Sequence, residues 1–200
     1  MIGFQIKSSS QLLDIIMAGS RIANLHHLVR HDMVTHDTAH QLLVQLLYAL
    51  EYLDSRSLIH GDVKPDNILF DERPGEIYHF VLTDVGLTNL LDNSKCPCSG
   101  ALLFQAPEIS KGRERTPKMD VWSLFVVYLW MTNSKGFRQS TRDLRDSRSI
   151  QAKVRRICER GRSETIRLFR GMAAESPHER LSASQALDTY FEAIGVPRRT

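Results

Sequence analysis

His60-Gly61-Asp62-Val63-Lys64-Pro65-Asp66-Asn67, followed by the apolar Ile68-Leu69-Phe70, is the stretch that decides how this chain is read. It sets out a carboxylate, an ammonium two positions later and a carboxamide five positions after the carboxylate. Leu58–His60, Ile68–Phe70 and Phe80–Thr83 are short, apolar and β-compatible, and Pro74-Gly75 marks a turn between the last two. Two short strands joined by a turn predict a hairpin. The residues at its ends, Asp62, Asn67 and Asp84, then converge on one rim.

Upstream, apolar residues fall at Ala39, Leu42, Leu43, Leu46, Leu47, Leu50 and Leu53, the three-four spacing of one helical stripe. Thr35 is placed to cap that helix, its hydroxyl accepting from an exposed backbone N–H. His40, Gln41, Gln45 and Glu51 fall on the opposite face, so burial is expected on one side only. Leu12–Met17 is an apolar run that fits a buried strand or a helix fragment. Downstream, Thr88–Gly100 is polar and aperiodic with Asn, Ser, Pro and Gly, the signature of a long loop. Helices are expected at Asp120–Met131, with Asp120 as its cap, and at Ser149–Arg160, Ser163–Ala174 and Ala183–Ile194.

Composition sets the outer limits. Two hundred residues, 42% apolar and 24% charged, suit one folded domain with its own core. The net charge of +3 does not by itself imply nucleic acid. The charge is uneven, however. Lys135 to Arg170 holds twelve Lys or Arg against four acids, Asp143, Asp146, Glu159 and Glu164, a local excess of eight. An acidic partner fits that stretch, and so does a plain solvated helical surface. Phe137 and Phe169 are its sole aromatics, which argues against a single-strand nucleic-acid surface.

Cys96, Cys98 and Cys158 make an odd count. Cys96-Pro97-Cys98 has the spacing of half a zinc site without a second ligand pair, so free thiols are the simpler reading. Met1–Lys7 has neither the charged nor the apolar region of a secretory signal. Val121–Met131, the most apolar stretch, is interrupted by Ser123 and is too short to span a bilayer. An intracellular location, cytoplasmic or nuclear, and no membrane partner are expected.

Transfer of a phosphoryl group from a nucleotide asks little covalent chemistry of a protein. It needs an acceptor hydroxyl positioned by a carboxylate, a cation on the moving phosphate, and metal ions on the phosphates. The Asp-x-Lys-x-x-Asn loop supplies the first two in one turn. Asn67 and Asp84 offer the oxygen ligands a hard cation such as magnesium prefers.

The string resembles the catalytic loop of eukaryotic-type protein kinases, and Asp84-Val85-Gly86 is similar to their Asp-Phe-Gly. Ala106-Pro107-Glu108 matches the close of their activation segment. Asp120-Val121-Trp122-Ser123-Leu124 looks like the start of the buried central helix, and Arg180 matches the late arginine that pairs with Glu108. The resemblance implies a protein kinase-like α+β fold over residues 1–200. That is a mostly α-helical C-terminal lobe with a small catalytic β-hairpin, and Leu12–Met17 at the hinge. The N-terminal β lobe is expected to be missing from these residues, because its Gly-rich loop and Lys–Glu pair have no room in the eleven residues before Leu12; a fragment of a longer protein is the favoured reading, a lobe-only protein the other. Residues 60–67 would be the catalytic loop, 84–108 the activation segment and 120–131 the central helix.

On this resemblance Asp62 is the catalytic base and Lys64 the phosphate contact of the Ser/Thr-specific branch. Lys64, Asn67 and Asp84 bind ATP, with Asn67 and Asp84 as the Mg2+ ligands. His60, Glu108, Asp120 and Arg180 are structural. The implied partners are a nucleotide and the Ser or Thr of a protein substrate.

Four positions depart from the family pattern. Gly61 replaces an arginine, Val85 an aromatic and Phe125 a glycine, and Ala101 stands where a threonine hydroxyl is usual. His-Gly-Asp is also what aminoglycoside and choline kinases carry, which makes a small-molecule phosphotransferase the rival enzyme class. A catalytically silent kinase-like scaffold is the rival of another kind, and activity of the isolated lobe is not expected.

Overall fold

The computed structural model describes residues 21–72, 78–84, 102–112 and 115–198. Leu12–Met17, the Pro74-Gly75 turn, Val85-Gly86, the Thr88–Gly100 loop, Ala101, Cys96 and Cys98 lie outside those residues.

The small sheet has the order β1 (Arg21–Asn24), β2 (Ile68–Glu72), β3 (His79–Leu82), antiparallel throughout. The expected hairpin is β2 with β3, Ile68 opposite Leu82 and Phe70 opposite Phe80. Its inner face buries Phe70 and Phe80, with Tyr78 set edge-on to Phe70 at 5.5 Å between ring centres. β1 joins the free edge of β2, with Ala23 opposite Phe70. Leu58–His60 does not join the sheet. The His60 N–H is taken instead by the Asp120 carboxylate at 2.7 Å.

α1 (Leu25–Arg30) follows β1, and α2 (His36–Ser55) is the long helix expected from its apolar stripe. Thr35 caps α2 as anticipated, its Oγ1 accepting from Thr38 N at 3.0 Å. The seven stripe residues are all buried. The opposite face is not given over to solvent, as the pattern had suggested. Gln45 donates from Nε2 to Tyr78 O and accepts at Oε1 from Phe80 N, both at 2.8 Å, which clamps α2 to β3. His40 packs edge-on against Tyr190, 4.9 Å between centroids. An amphipathic stripe marks the most apolar face; it does not exclude packing on the other.

α3 (Pro107–Ser110) leads into α4 (Lys118–Met131), the core of the domain. Twelve of the fourteen α4 residues are buried, so its sequence is apolar all round rather than striped. α5 (Phe137–Thr141), α6 (Ser147–Arg160), α7 (Glu164–Phe169) and α8 (Ala183–Ala193) complete the helical layer, and α8 and α4 pack on α2. The helix expected over Ser163–Ala174 is shorter than that. It tightens into a 3-10 turn at Arg170–Ala173, where a Cβ on Gly171 would lie 2.8 Å from Leu181 Cδ1. Among the described residues no helix is long and apolar enough to cross a membrane.

Candidate active site

The loop from His60 to Asn67 sits between α2 and β2, and its shape is fixed from below. Asp120, in the first turn of α4, does not cap its own helix as expected; Pro117 holds the N-cap position. The Asp120 carboxylate crosses instead to the loop. Its Oδ2 accepts from His60 N at 2.7 Å and its Oδ1 from Gly61 N at 2.8 Å. Two orphan amides are thereby satisfied by one buried anion. The His60 ring bridges onward, Nε2 to Thr83 O at 2.8 Å, and its Nδ1 accepts from Asp62 N at 3.3 Å.

Gly61 adopts φ +78°, a left-handed backbone that a side chain would strain. A Cβ there would also stand 3.0 Å from the Arg115 Nη2. Residue 61 carries no guanidinium of its own, but Arg115 brings one alongside. Nothing local to Gly61 signals an arginine 54 positions later.

The working groups follow at once. Asp62 is 7% exposed, and its Oδ2 accepts from Lys64 Nζ at 2.7 Å and from Asn67 Nδ2 at 2.9 Å. Asn67 Nδ2 also reaches the Asp62 carbonyl at 2.9 Å. The other carboxylate oxygen, Asp62 Oδ1, is buried and has no hydrogen-bond donor among the described residues. A buried acceptor left open is costly unless something is meant to occupy it. Pro65–Asn67 forms one 3-10 turn, which explains why residues two and five positions after Asp62 point back to it.

Asp84 belongs to the same rim through the backbone. Thr83 N donates to Asn67 O at 2.9 Å and Thr83 Oγ1 to the same oxygen at 3.1 Å, so Asp84 is one residue beyond that link. It is exposed, with φ +61°. Thr83 was not singled out from sequence, where it reads only as the end of a strand.

Glu108 and Arg180 form a separate device. Both are 1% exposed, and Arg180 grips Glu108 through two parallel bonds of 2.6 and 2.8 Å. The pair ties α3 to the start of α8. Ser123 Oγ, donating to Phe104 O at 2.8 Å, ties the same segment to α4.

Burial pushes the Asp120 carboxyl up to about 6, against the opposing pull of the His60 charge, the two loop amides and Arg115. Its ordinary value in an unfolded chain is near 3.8. As pH falls, the folded state therefore takes up this proton before the unfolded state does, and the group contributes stability that rises as pH drops from about 6 to about 4. Asp120→Asn cannot take up that proton. The stability of the parent relative to Asp120→Asn should therefore rise between pH 7 and pH 4.5, by about 2 kcal/mol. Urea titrations at the two pH values measure it, and a constant or falling difference would contradict the assignment.

With this geometry in place, the comparisons with known proteins agree on one family. The protein kinase domain model matches residues 4–191. The chain is 35% identical over 163 residues to a probable serine/threonine-protein kinase, a KIN1 homolog, of Encephalitozoon cuniculi, covering 78% of this chain and 27% of that protein. It is 31% identical over 176 residues to the serine/threonine-protein kinase SIK3 homolog of Danio rerio, covering 86% of this chain and 14% of that protein. Against the carbon catabolite-derepressing protein kinase of Saccharomyces cerevisiae it is 30% identical over 127 residues, 61% of this chain and 19% of that one. The chain thus spans well under half the length of the curated relatives it matches. By the extent of the family match and the agreement of these relatives, the chain belongs to the protein kinase domain family.

Proposed function

We propose that residues 60–84 carry ATP-dependent transfer of a phosphoryl group to the hydroxyl of Ser or Thr in a protein substrate. The observation that carries this reading is Asp62. One of its carboxylate oxygens is held by Lys64 and Asn67, and the other is buried without a donor among the described residues. That unpaired oxygen accepts the hydrogen bond of an incoming hydroxyl and takes its proton as the hydroxyl oxygen bonds to the terminal phosphorus of ATP. The bond from that phosphorus to the bridging oxygen breaks, and ADP leaves with the electron pair. Lys64, already beside Asp62, contacts the phosphoryl group in transit. His60 and Asp120 hold the loop in shape, and Glu108 with Arg180 anchors the segment that follows it.

Asn67 and Asp84 fit magnesium. Asn67 commits its Nδ2 to Asp62, which leaves its carboxamide oxygen as the ligand, and Asp84 adds an exposed carboxylate. Magnesium takes one or two such protein oxygens and fills its remaining positions with water and substrate phosphate, whose charge it neutralises. On this reading residues 60–67 are the catalytic loop, 84–108 the activation segment and 120–131 the central helix.

The test is to incubate the full-length protein with γ-labelled ATP and magnesium in the presence of a basic carrier protein. Acid hydrolysis should return the label as phosphoserine and phosphothreonine. Label in kanamycin or choline instead would favour the small-molecule class. Nucleotide binding without any transfer would favour a silent scaffold.

A further inference from the structure

The helices beyond α4 carry charge that the transfer site does not use. The structure divides the twelve basic residues of Lys135–Arg170 into groups. Arg138 lies over the Trp130 ring, 5.9 Å from its centroid. Arg145 donates within its own turn to the carbonyls of Arg142 and Leu144. Arg155 has Glu159 and Glu175 each at 3.9 Å. Those side chains have occupations.

Arg162, Arg167 and Arg170 differ. Together with Glu164 and Leu168 they line one surface cavity of about 440 Å³. All three are exposed, and none has a carboxylate partner among the described residues. Their backbone is held firmly. Ile166, Phe169 and Met172 are buried beneath them, and the α6–α7 joint closes tightly at Gly161, where a Cβ would meet Ile157 O at 2.6 Å and Ile166 Cγ2 at 2.7 Å. Three guanidiniums on a packed support, opposed by the single carboxylate of Glu164, leave a local excess of two positive charges.

We propose that this cavity is a docking site for a phosphorylated Ser or Thr side chain of a protein partner. A phosphate monoester carries close to two negative charges at neutral pH, which matches the excess. The guanidinium fork pairs phosphate oxygens through two parallel bonds, which an ammonium does not do, and here every cation in the cavity is arginine. The site stands apart from residues 60–84 and does not depend on the transfer reaction, so its failure would leave that reading untouched.

The probe is a fluorescein-labelled phosphoserine peptide with acidic flanks, titrated by anisotropy against the full-length protein beside the same peptide with unmodified serine. The phosphopeptide should bind at least about tenfold more tightly. Arg162→Glu and Arg167→Glu should each weaken it by about tenfold or more. Arg142→Glu, exposed in the same basic stretch but not lining the cavity, should stay within about twofold, because solvent and salt screen a charge that makes no direct contact with the phosphate. Melting curves of the three variants should overlay the parent, since all three positions are exposed. Equal affinity for the two peptides would overturn the proposal, as would equal losses in all three variants. Tighter binding of a single-stranded oligonucleotide than of the phosphopeptide would also overturn it, leaving a diffuse polyelectrolyte surface.

Discussion

Arg180→Ala should cost about 3–5 kcal/mol of folding stability, the usual penalty for breaking a buried ion pair from one side. Every donor of this guanidinium is engaged. Nε reaches Ala174 O at 2.9 Å, Nη1 reaches Glu108 Oε1 at 2.6 Å and Lys118 O at 3.0 Å, and Nη2 reaches Glu108 Oε2 at 2.8 Å and Glu175 O at 3.3 Å. The Trp122 ring closes one face at 5.3 Å. Truncation strands the Glu108 carboxylate at 1% exposure and leaves three carbonyls short of a donor.

In a domain of this size each kcal/mol moves the melting temperature by about 2–4 °C, so a fall of about 10 °C is expected. Arg180→Lys should recover part of it, because an ammonium supplies the charge without the fork. Replacing both partners, Glu108→Leu with Arg180→Met, should recover more than either single change, since no charge is then left unpaired. An unchanged melting temperature in Arg180→Ala would remove the pair from the account of stability.

That pair also shows what a sequence can and cannot reveal. Glu108 and Arg180 are 72 positions apart, and no periodicity joins them. They were legible only through a family resemblance. The Asp62–Lys64–Asn67 cluster was legible from the residues themselves, because all three sit in one turn and their spacing is their geometry. The α2 stripe was legible for the same local reason.

What stayed hidden was non-local. Asp120 looks like an N-cap from sequence, since an Asp before an apolar run satisfies that rule. Its carboxylate is used 60 residues away, on the amides of the His60–Gly61 loop. Gln45 reads as solvent-facing because its hydrogen bonds go to Tyr78 and Phe80, just before and within a strand, 33 and 35 residues later. β1 and α1 are four and six residues long, too short for a period to show. Arg115 beside Gly61 depends on a positive φ that glycine permits but does not announce.

The measurement that bears most directly on residues 60–84 as the site of phosphoryl transfer is single-turnover transfer by the full-length protein and its Asp62→Asn variant. The substitution keeps size and shape. The carboxamide it introduces can still accept from Lys64 or Asn67 through its one carbonyl oxygen, but it has no basic oxygen for the incoming hydroxyl's proton. Loss of a positioned general base costs about 10²–10⁴ in rate, so transfer should fall by about that factor. Nucleotide affinity and melting temperature should change far less than the rate, because the carboxamide oxygen can still accept from Asn67, the proposed magnesium ligand, or from Lys64. Paired loss of rate with retained binding is the expected result. Transfer by Asp62→Asn at the parent rate, with the label on the same Ser or Thr residues, would contradict the assignment of this loop as the site of chemistry.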